Sequence, residues 1–169
     1  MERVSTVLER EGDALDVLLF KLVETRLLLE AGEARFLPRA TREVERARAR
    51  CRELDLLRAA TTTQTAPGAT LRELARAAGG PWPAILRDHH DVMSGLLSEI
   101  EVVGHQNAQL ARAGIEALDR VPAAVGGPAP GGRPIRNAEL DRLARGAALD
   151  AVLVSASRLA MPDLVDFLR

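Results

Sequence analysis

Leu8, Leu15, Leu22, Leu29 and Phe36 recur at every seventh position, with Val4 and Leu18 filling part of a second row. Alternating steps of three and four residues place such side chains on one narrow stripe of an α-helix, which must be buried along its length against other helices. Glu11 and Thr25 fall in the second row and make the seam imperfect. Gly32 provides a C-terminal stop, and Pro38 suits the first turn of a following helix.

The same spacing continues through Leu37, Ala40, Val44, Ala47, Cys51 and Leu54, with Leu57 extending the face. TTTQTAPG at 61–68 reads as a loop. Thr70-Leu71-Arg72-Glu73 fits a capping box, and Gly79-Gly80-Pro81 ends the short helix it opens. A third long seam then runs through Trp82, Leu86, His89, Met93, Leu96, Ile100, Val103, Asn107, Leu110, Gly114, Ala117 and Val121. With aromatic residues at only 2% against 47% hydrophobic residues overall, a β-sandwich or barrel is disfavoured.

The expected fold is therefore all-α: an elongated antiparallel coiled-coil bundle of three long helices, at about 3–31, 37–60 and 82–121, with a short connecting helix at 70–78. PAAVGGPAPGGRPIR at 122–136 reads as a Pro/Gly linker, and 137–169 as a C-terminal helical segment with Asn137 as its cap and Pro162 near its end. Charge is sorted along the chain. Residues 1–34 carry net −4, residues 35–58 net +4 and residues 82–121 net −3. An antiparallel coil with its basic helix between two acidic ones is the arrangement this sorting favours.

The whole-chain charge of −1 does not point to nucleic acid. Arg42, Arg46, Arg48, Arg50 and Arg52 spread around their helix among Glu43, Glu45 and Glu53, as a solvated or internally paired face does. Catalytic signatures are equally sparse: no nucleophile elbow, phosphate-binding loop or dinucleotide fingerprint occurs. Cys51 lies on the second seam as a small buried hydrophobe. A metal-dependent helical enzyme using His89, His90 or His105 is the competing reading. Adjacent helical residues point about 100° apart, however, so one inward and one solvated histidine is expected of His89 and His90. No cofactor is expected. The N-terminus lacks an unbroken apolar core, and no stretch reaches a membrane span, so a cytoplasmic protein without membrane insertion is expected.

Three glycines, Gly95, Gly104 and Gly114, interrupt the third long helix, each costing about 1 kcal/mol relative to Ala. Asn107 on its apolar seam costs stability unless its amide is partnered. Either Asn107 fixes register and the glycines reflect compositional drift, or together they mark a face made to receive an amphipathic helix from another protein.

LFKLVETRLLLEAGEARFLPRATREVERA (19–47), LRELARAAGGPW (71–82) and EIEVVGHQNAQLARAGIEAL (99–118) resemble the FlgN-type flagellar export chaperones of high-GC Gram-positive bacteria. Asn107 and Leu110 match the family's N-x-x-L element, and the resemblance spans about residues 3–120. It implies a non-enzymatic, monomeric chaperone that covers the amphipathic terminal helices of hook-associated (FlgK/FlgL-like) junction proteins and assists their delivery to the flagellar type III export apparatus. By that resemblance the partner-binding residues are Ile100, Val103, Asn107, Leu110, Gly114 and Leu118. A homodimeric coiled-coil adaptor joined through the Leu8–Phe36 row is the third alternative. Residues 137–169 exceed the minimal pattern of the family. Three roles are open to them: completing the bundle, capping an empty groove, or meeting the export machinery.

Overall fold

A computed structural model of the chain describes residues 1–120 and 134–169. Helix α1 (Glu2–Glu30) ends where Gly32 takes a positive φ of 70°, which lets the Glu33 amide N–H return to the Leu28 carbonyl at 2.9 Å. A 3-10 turn (Ala34–Phe36) leads into α2 (Leu37–Thr65), with Pro38 in its first turn. The expected capping box opens α3 (Leu71–Ala77): Thr70 Oγ1 accepts from the Glu73 N–H, and the Thr70 N–H donates to Glu73 Oε2. The longest helix, α4, spans Trp82–Arg120, followed by α5 (Pro134–Ala156) and α6 (Pro162–Leu168).

The all-α helical bundle expected from the seams is the architecture observed. Two boundaries differ. TTTQT continues α2 rather than forming a loop, and Thr61, Thr62, Thr63 and Thr65 each donate their hydroxyl to a carbonyl one turn earlier, which satisfies the side chains within the helix. The chain turns instead at Gly68, with φ 74°. The linker read at 122–136 lies outside the described residues up to 133, but its last residues already belong to α5. Proline is tolerated in a first helical turn, so Pro134, not a cap at Asn137, opens that helix.

Helices α1 and α2 run antiparallel, with Cys51 Sγ donating to the Ala14 carbonyl. Helices α1 and α4 run parallel, with Ser5 meeting His89 and Leu22 meeting Asn107. Helix α5 packs against both α2 and α4, antiparallel to α4, so that α2 and α4 stand on opposite corners of a four-helix layer. The C-terminal segment is thus the fourth wall of the bundle. The charge sorting consequently acts differently from expectation. Most α2 arginines pair within their own helix, as Arg39 does with Glu43 and Arg50 with Glu53.

The main core joins Leu8, Leu15, Leu18 and Leu22 of α1 to Val44, Cys51 and Leu54 of α2 and to Leu86, Met93 and Ile100 of α4. Leu159 and the α6 residues Leu164, Phe167 and Leu168 belong to it as well. A second core at the other end gathers Leu37, Ala111, Ala148, Leu149 and Val152, with Leu29 and Leu118 packed beside them. The heptad row is therefore used up inside the bundle. Leu8, Leu15 and Leu22 are buried, and Phe36 leaves the row on the 3-10 turn, so no exposed seam remains there for homodimerisation.

Candidate functional site

Helix α4 presents three faces to its surroundings, and the residues expected to bind a partner are divided among them. Val103 and Asn107 are buried, and Asn107 Nδ2 donates to the Leu22 carbonyl at 2.9 Å. Asn107 therefore faces α1, and its Oδ1 has no protein partner. Gly114 lies under Leu149 of α5, and Leu118 packs into the second core. Leu110 is half-buried. Ile100 alone of the six lines an open depression.

That depression is a cleft of about 930 Å³ between α4 and the C-terminal segment. Its floor is apolar, made by Leu97, Ile100, Gly104 and Ala108. Leu153, Leu159, Met161 and Val165 form the opposite wall. The α4 rim is polar, with Arg72 reaching in from α3 and His90, Ser94, Ser98, Glu101, His105 and Arg112 following at helical spacing. From His90 to Arg112 the rim extends about 33 Å at the rise of an α-helix, or about six turns. The sequence carried a sign of this rim: a stripe beside the seam at 90, 94, 97, 101, 104, 108 and 112. Its mixture of polar, small and charged residues hid it behind the stronger leucine pattern.

Two of the three α4 glycines have a clear purpose. A Cβ on Gly104 would collide with Leu159 Cδ1, and one on Gly114 would stand 3.0 Å from Leu149 Cδ1. Each glycine is a notch that takes a leucine of the chain's own C-terminal segment. Gly95 has open space around it and receives nothing. The face expected to be vacant is thus occupied from within. Leu149, Val152, Leu159, Leu164, Phe167 and Leu168 are all buried, and at about 1.5–3 kcal/mol each their exposure would cost on the order of 10 kcal/mol. Against this gross figure stands the chain entropy that ordering the segment costs. The segment is part of the fold.

Beneath α6 lies a polar cluster whose burial the charge pattern did not predict. Arg58 is buried, its Nε 3.1 Å from Glu11 Oε2, its Nη2 on Asp55, and its guanidinium 4.2 Å above the Phe167 ring. Glu11 is only 1% exposed, and burial pushes its carboxyl up to about 7 although Arg58 pulls the other way. Arg48 is also buried. It donates to the Arg158 carbonyl and pairs with Glu45, which in turn accepts from Ser155. These contacts tie the C-terminal segment to α2. Arg58 stands at the next step of the α2 seam after Cys51 and Leu54, as Glu11 stands in the α1 row, so spacing marked both as inward; within this Arg-rich helix nothing in the sequence marks Arg48.

The histidines go to separate neighbours. His89 Nε2 contacts Ser5 Oγ at 2.9 Å, His90 Nδ1 contacts Asp91 Oδ1 at 2.9 Å, and His105 Nε2 contacts Gln109. Both His89 and His90 are half-buried rather than one inward and one solvated, because α3 also shelters His90 through Arg72. Among the described residues, no three His, Cys, Asp or Glu side chains converge on a metal-sized site. Cys51 is buried, its thiol pushed up to about 11 by burial, and it remains a protonated donor. No helix among the described residues is long and apolar enough to cross a membrane.

Fold and cleft together define a helical bundle with an open, apolar-floored groove along its longest helix. No family model, curated protein or solved structure matches the chain.

Proposed function

We propose that the protein is a flagellar export chaperone of the FlgN type, which holds the amphipathic terminal helices of hook-associated proteins in the cytoplasm and presents them to the export apparatus. The observation that carries this reading is the cleft along α4, whose polar rim runs about six helical turns beside an apolar floor of about three, from Leu97 to Ala108. An amphipathic helix recognises such a groove by laying its apolar stripe on the floor and keeping its polar face in water. The work is binding, with no bond made or broken. Covering the terminal helices keeps junction proteins from assembling early, and a groove open along its length permits release without unfolding the chaperone.

The reading is tested by mixing the purified protein with hook-associated proteins and with versions lacking their terminal helices. Co-elution of the intact proteins, abolished by removal of those helices, is the expected result. Failure of any hook-associated protein to bind at micromolar concentration removes the proposal.

A further inference from the structure

The cleft has two unlike walls, and the charges along its rim are ordered. Arg72 with His90 stands at one end, Glu101 near the middle and Arg112 at the other end. Among the described residues, neither Glu101 nor Arg112 takes part in an ion pair, and Arg72 contacts only the His90 ring. On the far side the wall comes from the C-terminal segment, locked by Leu159 over Gly104, by Ser155 on Glu45 and by Phe167 under Arg58; its two charged lining residues, Asp166 and Arg169, pair with each other at 3.1 Å and leave the unpaired charges to the α3–α4 side.

Resting on the chaperone reading, we infer that the C-terminal segment is a permanent wall of the binding cleft, and that the cleft selects an amphipathic helix with carboxylates at both ends and a cation at its centre. The apolar floor fixes which stripe of the guest turns inward. The rim charges then set its register and reject guests of the opposite pattern, since like charges brought together at an interface oppose binding. Unpaired rim groups suit this task because they need not break an existing pair when the guest arrives. The segment stays in place while the guest binds, so the far wall is present in both free and loaded states.

The test uses the full chain and two fluorescent synthetic helices of about 20 residues. Both carry the same leucine stripe. One has glutamates at its ends and a central lysine, and its twin has these charges reversed. The glutamate-ended helix is expected to bind at least about tenfold more tightly, and Arg112→Glu to narrow or invert that ratio. Ser98→Trp, at an exposed cleft position, is expected to weaken binding at least about tenfold by filling the groove. A third form carries Glu45→Cys, Ser155→Cys and Cys51→Ala, with the two new cysteines joined by a short bis-maleimide, so that the C-terminal segment is tethered to α2. Its affinity is expected to stay within about threefold of the same triple variant before linking, both shown to be folded by circular dichroism. Loss of binding on tethering, or equal affinity for the two twins, overturns the inference while leaving a chaperone. If neither synthetic helix nor any hook-associated terminal helix binds, the chaperone reading falls and the inference with it.

Discussion

Leu159 occupies the space that a side chain at Gly104 would need, so a residue of the C-terminal segment is keyed into a helix more than fifty positions earlier. Leu149 stands over Gly114 in the same way. The spacing of the two leucines along the C-terminal segment matches the spacing of the two notches along α4, ten residues in each case, with the order reversed because the elements run antiparallel.

The notch geometry separates the α4 glycines by experiment. Gly95→Ala places a methyl group in open space within a helix and is expected to stabilise the protein by about 1 kcal/mol. Gly104→Ala gains the same helix propensity but pushes Leu159 out of the core, for a net loss of about 1–2 kcal/mol. Urea unfolding of both variants followed by circular dichroism checks this. Equal effects at the two sites contradict the keyed packing.

Glu11 makes stability depend on pH. Its carboxyl titrates at about 7 in the folded chain against a reference value of 4.5, so the folded state holds a proton that the unfolded state has lost between these limits. Its contribution therefore falls as pH rises from about 4.5 to 7, by up to about 3 kcal/mol, and is level above that. Glu11→Gln should remove this slope and leave the protein more stable than the parent at pH 8. Urea midpoints of the two proteins across this pH range check it; parallel curves argue against a buried, proton-binding Glu11.

Asn107 is expected to act on stability and not on binding. Its amide donates to Leu22 within the α1–α4 seam while Oδ1 is left without a protein partner. Asn107→Leu keeps the branching and removes the orphaned oxygen, but it is bulkier and loses the bond to Leu22, so the opposing terms should leave stability changed by less than about 1.5 kcal/mol. Affinity for an amphipathic helix should be unchanged, because the side chain faces α1 and not the cleft. A loss of binding in a folded Asn107→Leu protein places the guest elsewhere.

The C-terminal segment should behave as core. Leu164→Ala removes a side chain that is 1% exposed, and Phe167→Ala also removes the ring under Arg58; each is expected to cost about 2–5 kcal/mol. Thermal unfolding should remain a single transition that moves to lower temperature. A separate early transition for the C-terminal segment, with the remainder unaffected, contradicts this.

By itself, the sequence determined the helices and their inward stripes. The leucine row of α1, the seam of α4 and the capping box at Thr70 depend on residues within a turn or two of each other, and local spacing encodes them directly. The acid at Glu11, the amide at Asn107 and the glycines at 104 and 114 were visible as departures from those stripes, without showing what they meet. Only the tertiary structure decided that Arg58 answers Glu11, that α1 receives Asn107, and that the chain's own C-terminal leucines fill the notches at two of the three α4 glycines. These pairings join positions 47 to 85 residues apart or lie across the 121–133 stretch, and depend on which faces complement one another once the helices are assembled. The same assembly turned the cleft from the seam of α4 to the stripe beside it, because the seam itself is consumed by the core.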